Sequence, residues 1–247
     1  MAQIDQNHIS LTEDFGKRSL PDAPLPVFIK IAEHIARDIT AGRLAVGSKL
    51  PPEREMAKTY DVAVGTLRKA LSRLTEMGLL ERRQGSGNYI CKTEQSTSLY
   101  NFFRLEMPSG GGLPTAKLLD YARVRKPDDL PDFGTADFGH RFRRIRFLNG
   151  EPVALEEIWL DGDVIAEISA DQITESLYHF FKTELNIWIA RAEDWVAIAP
   201  PPPWYRGQID TMMGYIERFG WSNGNKKIEY SRTWYDASKA RYVARLT

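Results

Sequence analysis

The stretch "SKLPPEREMAKTYDVAVGTLRKALSRLTEMGLLERRQGSGNYI", Ser48 to Ile90, constrains the fold of this chain more than any other. It holds two short segments with apolar residues at helical spacing, then a basic hairpin tipped by Gly85 and Gly87. Pro51 and Pro52 open the first segment, where a missing N–H is tolerated, and Glu53 and Glu55 suit the positive end of a helix. Met56, Ala57 and Tyr60 form its inner face. After Asp61 and Val62, a further helix turns Leu67, Ala70, Leu71, Leu74 and Met77 inward and Thr66, Arg68, Lys69, Ser72 and Arg73 outward. Gly78 ends it. Ala63 is a poor helix cap, so Asp61 is the expected one. Upstream, Phe28, Ile31, Ala32, Ile35 and Ile39 recur at the same period, with Lys30, Glu33, Arg37 and Asp38 between them. They predict an amphipathic helix ending near Gly42.

Three helices and a hairpin bury little apolar surface, so such a unit is marginal alone and is expected to be attached to something larger. A chain of 247 residues has room for two domains of roughly 100 to 150 residues. A short helix, a tight turn and a second helix with basic residues near its start form a helix-turn-helix, whose second helix enters the major groove. The hairpin that follows is a wing. Gly85 and Gly87 let its backbone approach a groove or phosphate, and Arg82, Arg83 and Gln84 supply donors beside it. Charge agrees with this placement. The formal net charge is zero, yet residues 1–92 carry 14 Lys+Arg against 11 Asp+Glu, and Val62–Lys92 carry six against two. A local cationic patch suits phosphate contact.

Composition excludes several classes. A hydrophobic content of 43% supports packed cores rather than a disordered chain. No apolar run approaches the roughly 18 residues that span a bilayer, and "MAQIDQNHIS" lacks the layout of a signal peptide, so a cytoplasmic location is expected. Cys91 is the one cysteine and cannot form an internal disulfide; it reads as a small residue at a strand end. Four scattered His residues, with no CxxC or HxxxH spacing, give no metal site, and no cofactor is expected.

From Leu25 to Ile90 the sequence closely resembles the winged helix-turn-helix of GntR-family bacterial transcription regulators. The resemblance is carried by LPxERExA across Leu50–Ala57, by TLRKALxxLxxxGLL from Thr66 to Leu80, and by the Gly-Ser-Gly wing. It implies that Arg54 contacts DNA from the second helix and Thr66 and Arg68 from the recognition helix. Gln84, Gly85 and Ser86 are implied to approach the minor groove from the wing tip. Ala63, Val64 and Gly65 open the recognition helix at DNA-contact positions where many members carry Ser or Thr followed by Arg. An Arg bidentate to guanine is worth about 1–3 kcal/mol of discrimination, so this departure bears on which bases are read.

Residues 1–24 read as a loose arm, 25–92 as the DNA-binding module, 93–98 as a polar linker and 99–247 as a second, strand-rich module. Pro200–Pro203 cannot sit inside a sheet and is a loop. "RFRRIRFLNGEPVALEEIWLD" is a hairpin bending at Asn149-Gly150, with Phe142, Arg144 and Arg146 on one face. Two arginines on one sheet face form a natural site for a carboxylate or phosphate. Its register is open. A two-residue loop pairs Arg146 with Val153 and sends Glu156 to the other face, whereas a three-residue loop pairs Arg144 with Glu156. "DQITESLYHFFKTELN" is helical, with Leu177, Phe180, Phe181 and Leu185 inward. A closing hairpin turns at Ser222–Asn225 and sets Glu229, Ser231, Thr233 and Tyr235 on one face, a pattern that most often marks a solvated surface.

Residues from about Leu99 to Leu246 resemble the UTRA effector-binding domain of the HutC subfamily of GntR regulators, which is similar in fold to chorismate lyase. "RIRFLNGEPVALEE", "SLY" and "KIEYSRTWYDASKARY" carry the match. It implies an α+β chain in which a winged helix-turn-helix is joined to an antiparallel-sheet domain. It also implies that Arg144 and Arg146 hold an anion while Glu156, Ser176, Tyr178, Glu229 and Tyr235 hydrogen-bond the rest of the ligand, which favours the longer loop. Tyr100, Asn101 and Phe102 stand where relatives place phosphate-binding hydroxyls, so a small carboxylate stays open beside a sugar phosphate. The expected protein is an effector-controlled repressor that binds double-stranded operator DNA as a homodimer. Two rivals remain: a lyase-like enzyme, against which stands the lack of a nucleophile with an adjacent base, and a constitutive DNA-binding dimer.

Overall fold

The computed structural model describes residues 26–40, 42–91, 102–165, 167–168, 173, 177–207 and 209–245. The proposed arm (1–24), the linker (93–98) and Ser176 lie outside the described residues. By contacts the chain divides into two compact units, one of Pro24–Pro114 with Arg241–Thr247 and one containing Thr115–Ala240. Composition placed the division near residues 93–98; in space the first unit runs on to Pro114 and takes in the last strand of the chain.

The first unit begins with α1 (Val27–Thr40), α2 (Glu53–Thr59) and α3 (Val64–Glu76), followed by the hairpin β1 (Leu80–Arg83) and β2 (Gly87–Ile90). The apolar stripes read from the sequence converge as predicted: Ile31, Ile35, Met56, Leu67, Leu71 and Leu74 are buried in one core. Two details differ from expectation. Asp61 does not cap α3; its φ of 50° places it in the left-handed turn between α2 and α3, and the capping position is Ala63, which makes no side-chain cap bond. Glu33 and Arg37, read as outward polar residues of α1, are buried at 1% and 4% exposure.

Arg37 is buried because the chain returns over it. Its guanidinium donates to the carbonyl of Gly112 at 2.7 Å and to that of Leu105, and lies 4.9 Å from the centre of the Phe103 ring. Here β3 (Leu105–Glu106) pairs with β10 (Arg241–Tyr242). The Glu106 carboxylate accepts from Arg43 Nη1 at 2.6 Å, from Arg245 at 2.7 and 3.0 Å, and from the Gly111 N–H at 3.2 Å. Burial raises the Glu106 carboxyl, but the bonds from Arg245 and Arg43 outweigh it and hold the group at about 2.

The second unit is one six-stranded antiparallel sheet in the order β4-β5-β6-β9-β8-β7. Its strands are β4 (Pro114–Arg125), β5 (Phe138–Leu148), β6 (Glu151–Asp161), β7 (Ile189–Ala199), β8 (Met213–Ser222) and β9 (Lys227–Tyr235), with α4 (Leu177–Glu184) between β6 and β7. Leu177, Phe180 and Phe181 of α4 are buried as expected, while Leu185 is half-buried just past its end. Pro200–Pro203 lies in the loop between β7 and β8.

The β5–β6 register resolves the two alternatives in an unexpected way. The turn is the two-residue one, Asn149-Gly150, with φ of 51° and 83°. Leu148 pairs with Glu151 and Phe147 with Pro152, but a bulge then skips Val153, so Arg146 faces Ala154 and Arg144 faces Glu156. One extra residue on the bulged strand shifts the ladder by one and so returns Glu156 to the face of the arginines.

Candidate functional site

The surface that would meet nucleic acid is built from α2, α3 and the hairpin. Arg54 on α2 is exposed, as are Ala63, Gly65 and Arg68 around the start of α3, while Val64 and Thr66 are half-buried. Val64 packs partly against the core. The Nε of Arg68 donates to Glu53 Oε2 at 2.6 Å, linking the two helices at their exposed ends. Gln84, Gly85 and Ser86 form the tip of the hairpin, where a φ of 72° at Gly85 is the left-handed conformation that favours glycine. The Arg83 guanidinium stacks over Tyr89 at 4.3 Å, and Ser86 Oγ lies 2.8 Å from the Tyr89 hydroxyl. The hairpin residues Arg82–Asn88 and the segment Lys49–Glu53, joined where the Leu50 N–H donates to the Asn88 carbonyl at 2.9 Å, line a common groove of about 710 Å³. Donors on an exposed helix and a glycine-tipped hairpin flanking such a groove fit phosphate and base-edge contact.

The second site occupies one face of the sheet. Through the strand registers, Arg144 and Arg146 of β5 share a face with Glu156 of β6, with Glu229, Ser231, Thr233 and Tyr235 of β9, and with Arg218 of β8. Helix α4 covers this face: Phe181 meets Phe142 with ring centres 6.2 Å apart, and the Tyr178 hydroxyl donates to Glu229 Oε1 at 2.9 Å. The structure therefore brings together six of the seven residues that the resemblance assigns to an effector, Ser176 being outside the described residues. The polar spacing along β9 does not mark a solvated surface, because Glu229 is fully buried and Ser231 is 5% exposed. The tenant of that face is the helix, which the strand's own alternation does not reveal.

Its electrostatics are those of a closed polar cluster. Arg144 donates to the Glu156 carboxylate through Nε at 2.9 Å and through Nη2, while its buried Nη1 has no hydrogen-bond partner. Burial pushes the Glu156 carboxyl up, but the charges of Arg144 and Arg146 outweigh it and hold the group below its ordinary value. Burial pushes Glu229 up to about 7, with the bond from Tyr178 and the charge of Arg218 opposing it, and Glu229 Oε2 also lacks a partner. The Tyr178 hydroxyl rises well above its ordinary range through burial and the charge of Glu229. An unpartnered buried donor and an unpartnered buried carboxylate oxygen on one sheet face mark places where a polar ligand can complete hydrogen bonds.

Sequence reasoning missed two members of this cluster. Arg218 donates to Asp194 of β7 through Nε at 2.5 Å and Nη2 at 2.6 Å, facing Ser231 across the β8–β9 ladder. Alternation within "YIERFGW" and "ARAEDWV" could have placed each on a face, but not beside each other, since nothing local fixes the strand order. Gly214 was missed too. It faces Tyr235 across the ladder, and a Cβ there would come within 2.2 Å of the Tyr235 ring, so glycine lets that ring lie across the strand. A separate cleft of about 740 Å³, lined by Thr135, Asp163, Asn186 and Lys227 among others, includes none of the residues assigned to the effector. Among the described residues no His, Cys, Asp and Glu group has the arrangement of a metal site. No described helix is long and apolar enough to cross a membrane.

Comparison with known proteins gives the same two parts. Residues 29–90 match the family described as bacterial regulatory proteins, gntR family, and residues 109–241 match the UTRA domain. The chain is 48% identical over 226 residues to the HTH-type transcriptional regulator SmoD of Agrobacterium fabrum, covering 90% of this chain and 97% of that one. It is 29% identical over 176 residues to the HTH-type transcriptional repressor NagR of Bacillus subtilis, covering 69% of this chain and 72% of that one. Its fold is similar to the ligand-binding domain of a GntR-family transcriptional regulator from Bordetella bronchiseptica, at 19% identity and a TM-score of 0.51, covering 58% of this chain and 96% of that one. With its helix-turn-helix core, its glycine-tipped wing and a helix-covered polar sheet face all accounted for, the chain belongs to the GntR family and is a transcriptional regulator that joins a DNA-binding winged helix-turn-helix to a UTRA effector domain.

Proposed function

We propose that the protein is a repressor that binds its operator as a homodimer in the cytoplasm and is controlled by a small anionic metabolite. In this reading α3 lies in the major groove, with Arg54, Thr66 and Arg68 toward base edges and phosphates and Ala63, Val64 and Gly65 at its entry. Gln84, Gly85 and Ser86 carry the wing into the adjacent minor groove. A twofold protein matches a near-palindromic site. The edge strand β7 supports the homodimer: it runs for 11 residues and exposes Trp195 at 58%, Val196 at 51% and Ile198 at 72%. A long apolar edge of this kind is a template for pairing with another chain. Repression is supported by NagR, a relative named as a repressor.

The observation that carries the effector reading is the buried cluster under α4, with Arg144 Nη1 and Glu229 Oε2 both lacking partners. Arg144 and Arg146 supply the positive end for a sugar phosphate or carboxylate. Glu156, Ser176, Tyr178, Glu229 and Tyr235 supply hydrogen bonds to hydroxyl or amine groups. A buried charge cluster contributes little net stability, because desolvation offsets the attraction, so its presence is better explained by a polar ligand than by folding. The ligand would favour a dimer geometry whose recognition helices are wrongly spaced, by no more than its differential affinity for the two states. A thermal-shift screen with phosphorylated sugars and small carboxylates, repeated on Arg144→Ala and Arg146→Ala, tests the reading. A stabilising compound whose effect disappears in both variants supports it, and one whose effect persists in both refutes it.

A further inference from the structure

A carboxylate stands on the surface that would meet phosphates. Glu53 opens α2 directly after Pro51 and Pro52, and it lines the groove shared with Arg82, Gly85 and their hairpin neighbours. Alone it would repel DNA and weaken binding. Its local alternative role, complementing the positive end of α2, is already served by Glu55 in the same first turn.

What distinguishes Glu53 is its partner. Its Oε2 accepts from Arg68 Nε at 2.6 Å, and the Arg68 side chain makes no other hydrogen bond among the described residues. The carboxylate is the more enclosed member, at 22% exposure against 64% for the arginine. The guanidinium therefore stands largely open to solvent while the acid that holds it is mostly enclosed. Holding an arginine by Nε leaves the two terminal nitrogens for a bidentate contact, the geometry that matches O6 and N7 of guanine. A long side chain restrained before binding loses less freedom when it docks. The need is greater here because Ala63, Val64 and Gly65 at the start of α3 offer no side-chain donors, so base reading falls on fewer groups.

We infer that Glu53 is a positioning residue for DNA reading, holding the Arg68 guanidinium by Nε so that both terminal nitrogens face one guanine edge. The inference rests on the proposal that α3 reads the major groove.

A double-mutant cycle on the full chain tests it. The probes are a duplex recovered by the wild-type protein from a randomised pool, versions of it with each guanine replaced in turn, and an unrelated duplex. Measurements are made at low ionic strength, where Arg68→Ala still binds through phosphate contacts. Glu53→Ala is expected to reduce discrimination at one guanine by about tenfold. Affinity for the unrelated duplex should hold or rise, because a negative charge has gone. In the Arg68→Ala background the same change should leave discrimination unaltered. Glu53→Gln, which keeps an acceptor oxygen, should retain most of the discrimination. Equal strengthening on every duplex in both backgrounds would reduce Glu53 to a repelling charge. Equal weakening in both backgrounds, with a lower melting temperature, would make it a support of α2, and either result overturns the inference. If the wild type recovers no duplex, the underlying DNA reading fails; if it recovers one and Glu53→Ala discriminates as well, only the role of Glu53 fails.

Discussion

Arg68 in the helix-turn-helix and Arg144 in the sheet domain each pair with a glutamate, yet the first side chain is 64% exposed while Arg144 is a 4% exposed residue. The difference follows from the size of what each would meet. A duplex is a large surface that supplies its own charge, so the protein need only present cations outward. A small molecule has to be enclosed, and its enclosing charges must be partnered internally whether or not it is bound. Function and stability should therefore be separable in the first region and entangled in the second.

The sharpest test of that contrast is Arg68→Ala. It is expected to lose operator retardation at physiological salt while the melting temperature stays where it was, because an exposed ion pair adds little to folding. Retained retardation, or a large loss of stability, would break the contrast. Arg144→Ala is expected to do the opposite. It leaves the largely enclosed Glu156 carboxylate without its partner and should destabilise the sheet domain by about 3–5 kcal/mol in urea unfolding. Replacing Arg144 and Glu156 together by Met and Leu should recover most of that loss while leaving ligand response absent.

The two regions should also respond to pH with opposite signs. Glu229 has its pKa raised by burial from an ordinary 4.5 to about 7. The stability associated with its proton is full below about 4.5 and is lost as pH rises through 7, a change on the order of 3 kcal/mol that Glu229→Gln should flatten. Glu106 is lowered to about 2. Its contribution is full above about 4.5 and is lost as pH falls toward 2. Unfolding midpoints followed across pH with a probe in each unit would check both slopes. The smallest effect is expected at Gly214. Gly214→Ala sets a methyl against the Tyr235 ring and should cost about 1–3 kcal/mol by overpacking, with a weakened ligand response as the functional readout.

Legibility differed between the regions for a physical reason. The apolar stripes on α1, α2 and α3, the proline opening of α2 and the Gly85 turn are all local features, and each appeared where its spacing put it. Even there, long-range contacts escaped notice: Arg37 looks like a surface residue of α1 until the strand containing Leu105 is laid over it. In the sheet domain the hairpins β5–β6 and β8–β9 and the helix α4 were readable, while the edge strands β4 and β7 were not singled out, and the pairing of Arg144 with Glu156 hinged on Val153, where a bulge moves the ladder by one residue. The one local sign in "NGEPVALEE" is Pro152, which cannot donate to the ladder and within a sheet is tolerated only at an edge, near a strand start or at a bulge; alone it does not say which residue the ladder skips.

The amino-acid order alone determined the helical periods, the turn chemistry and the alternation along each strand, since these depend on neighbours a few residues apart. Tertiary structure decided which strands lie side by side, and so joined Arg218 to Asp194 and Glu229 to Tyr178. Those partners are 24 and 51 residues apart in the chain. Strand order and helix docking are chosen by the burial of the whole sheet, a sum over distant residues that no local pattern contains.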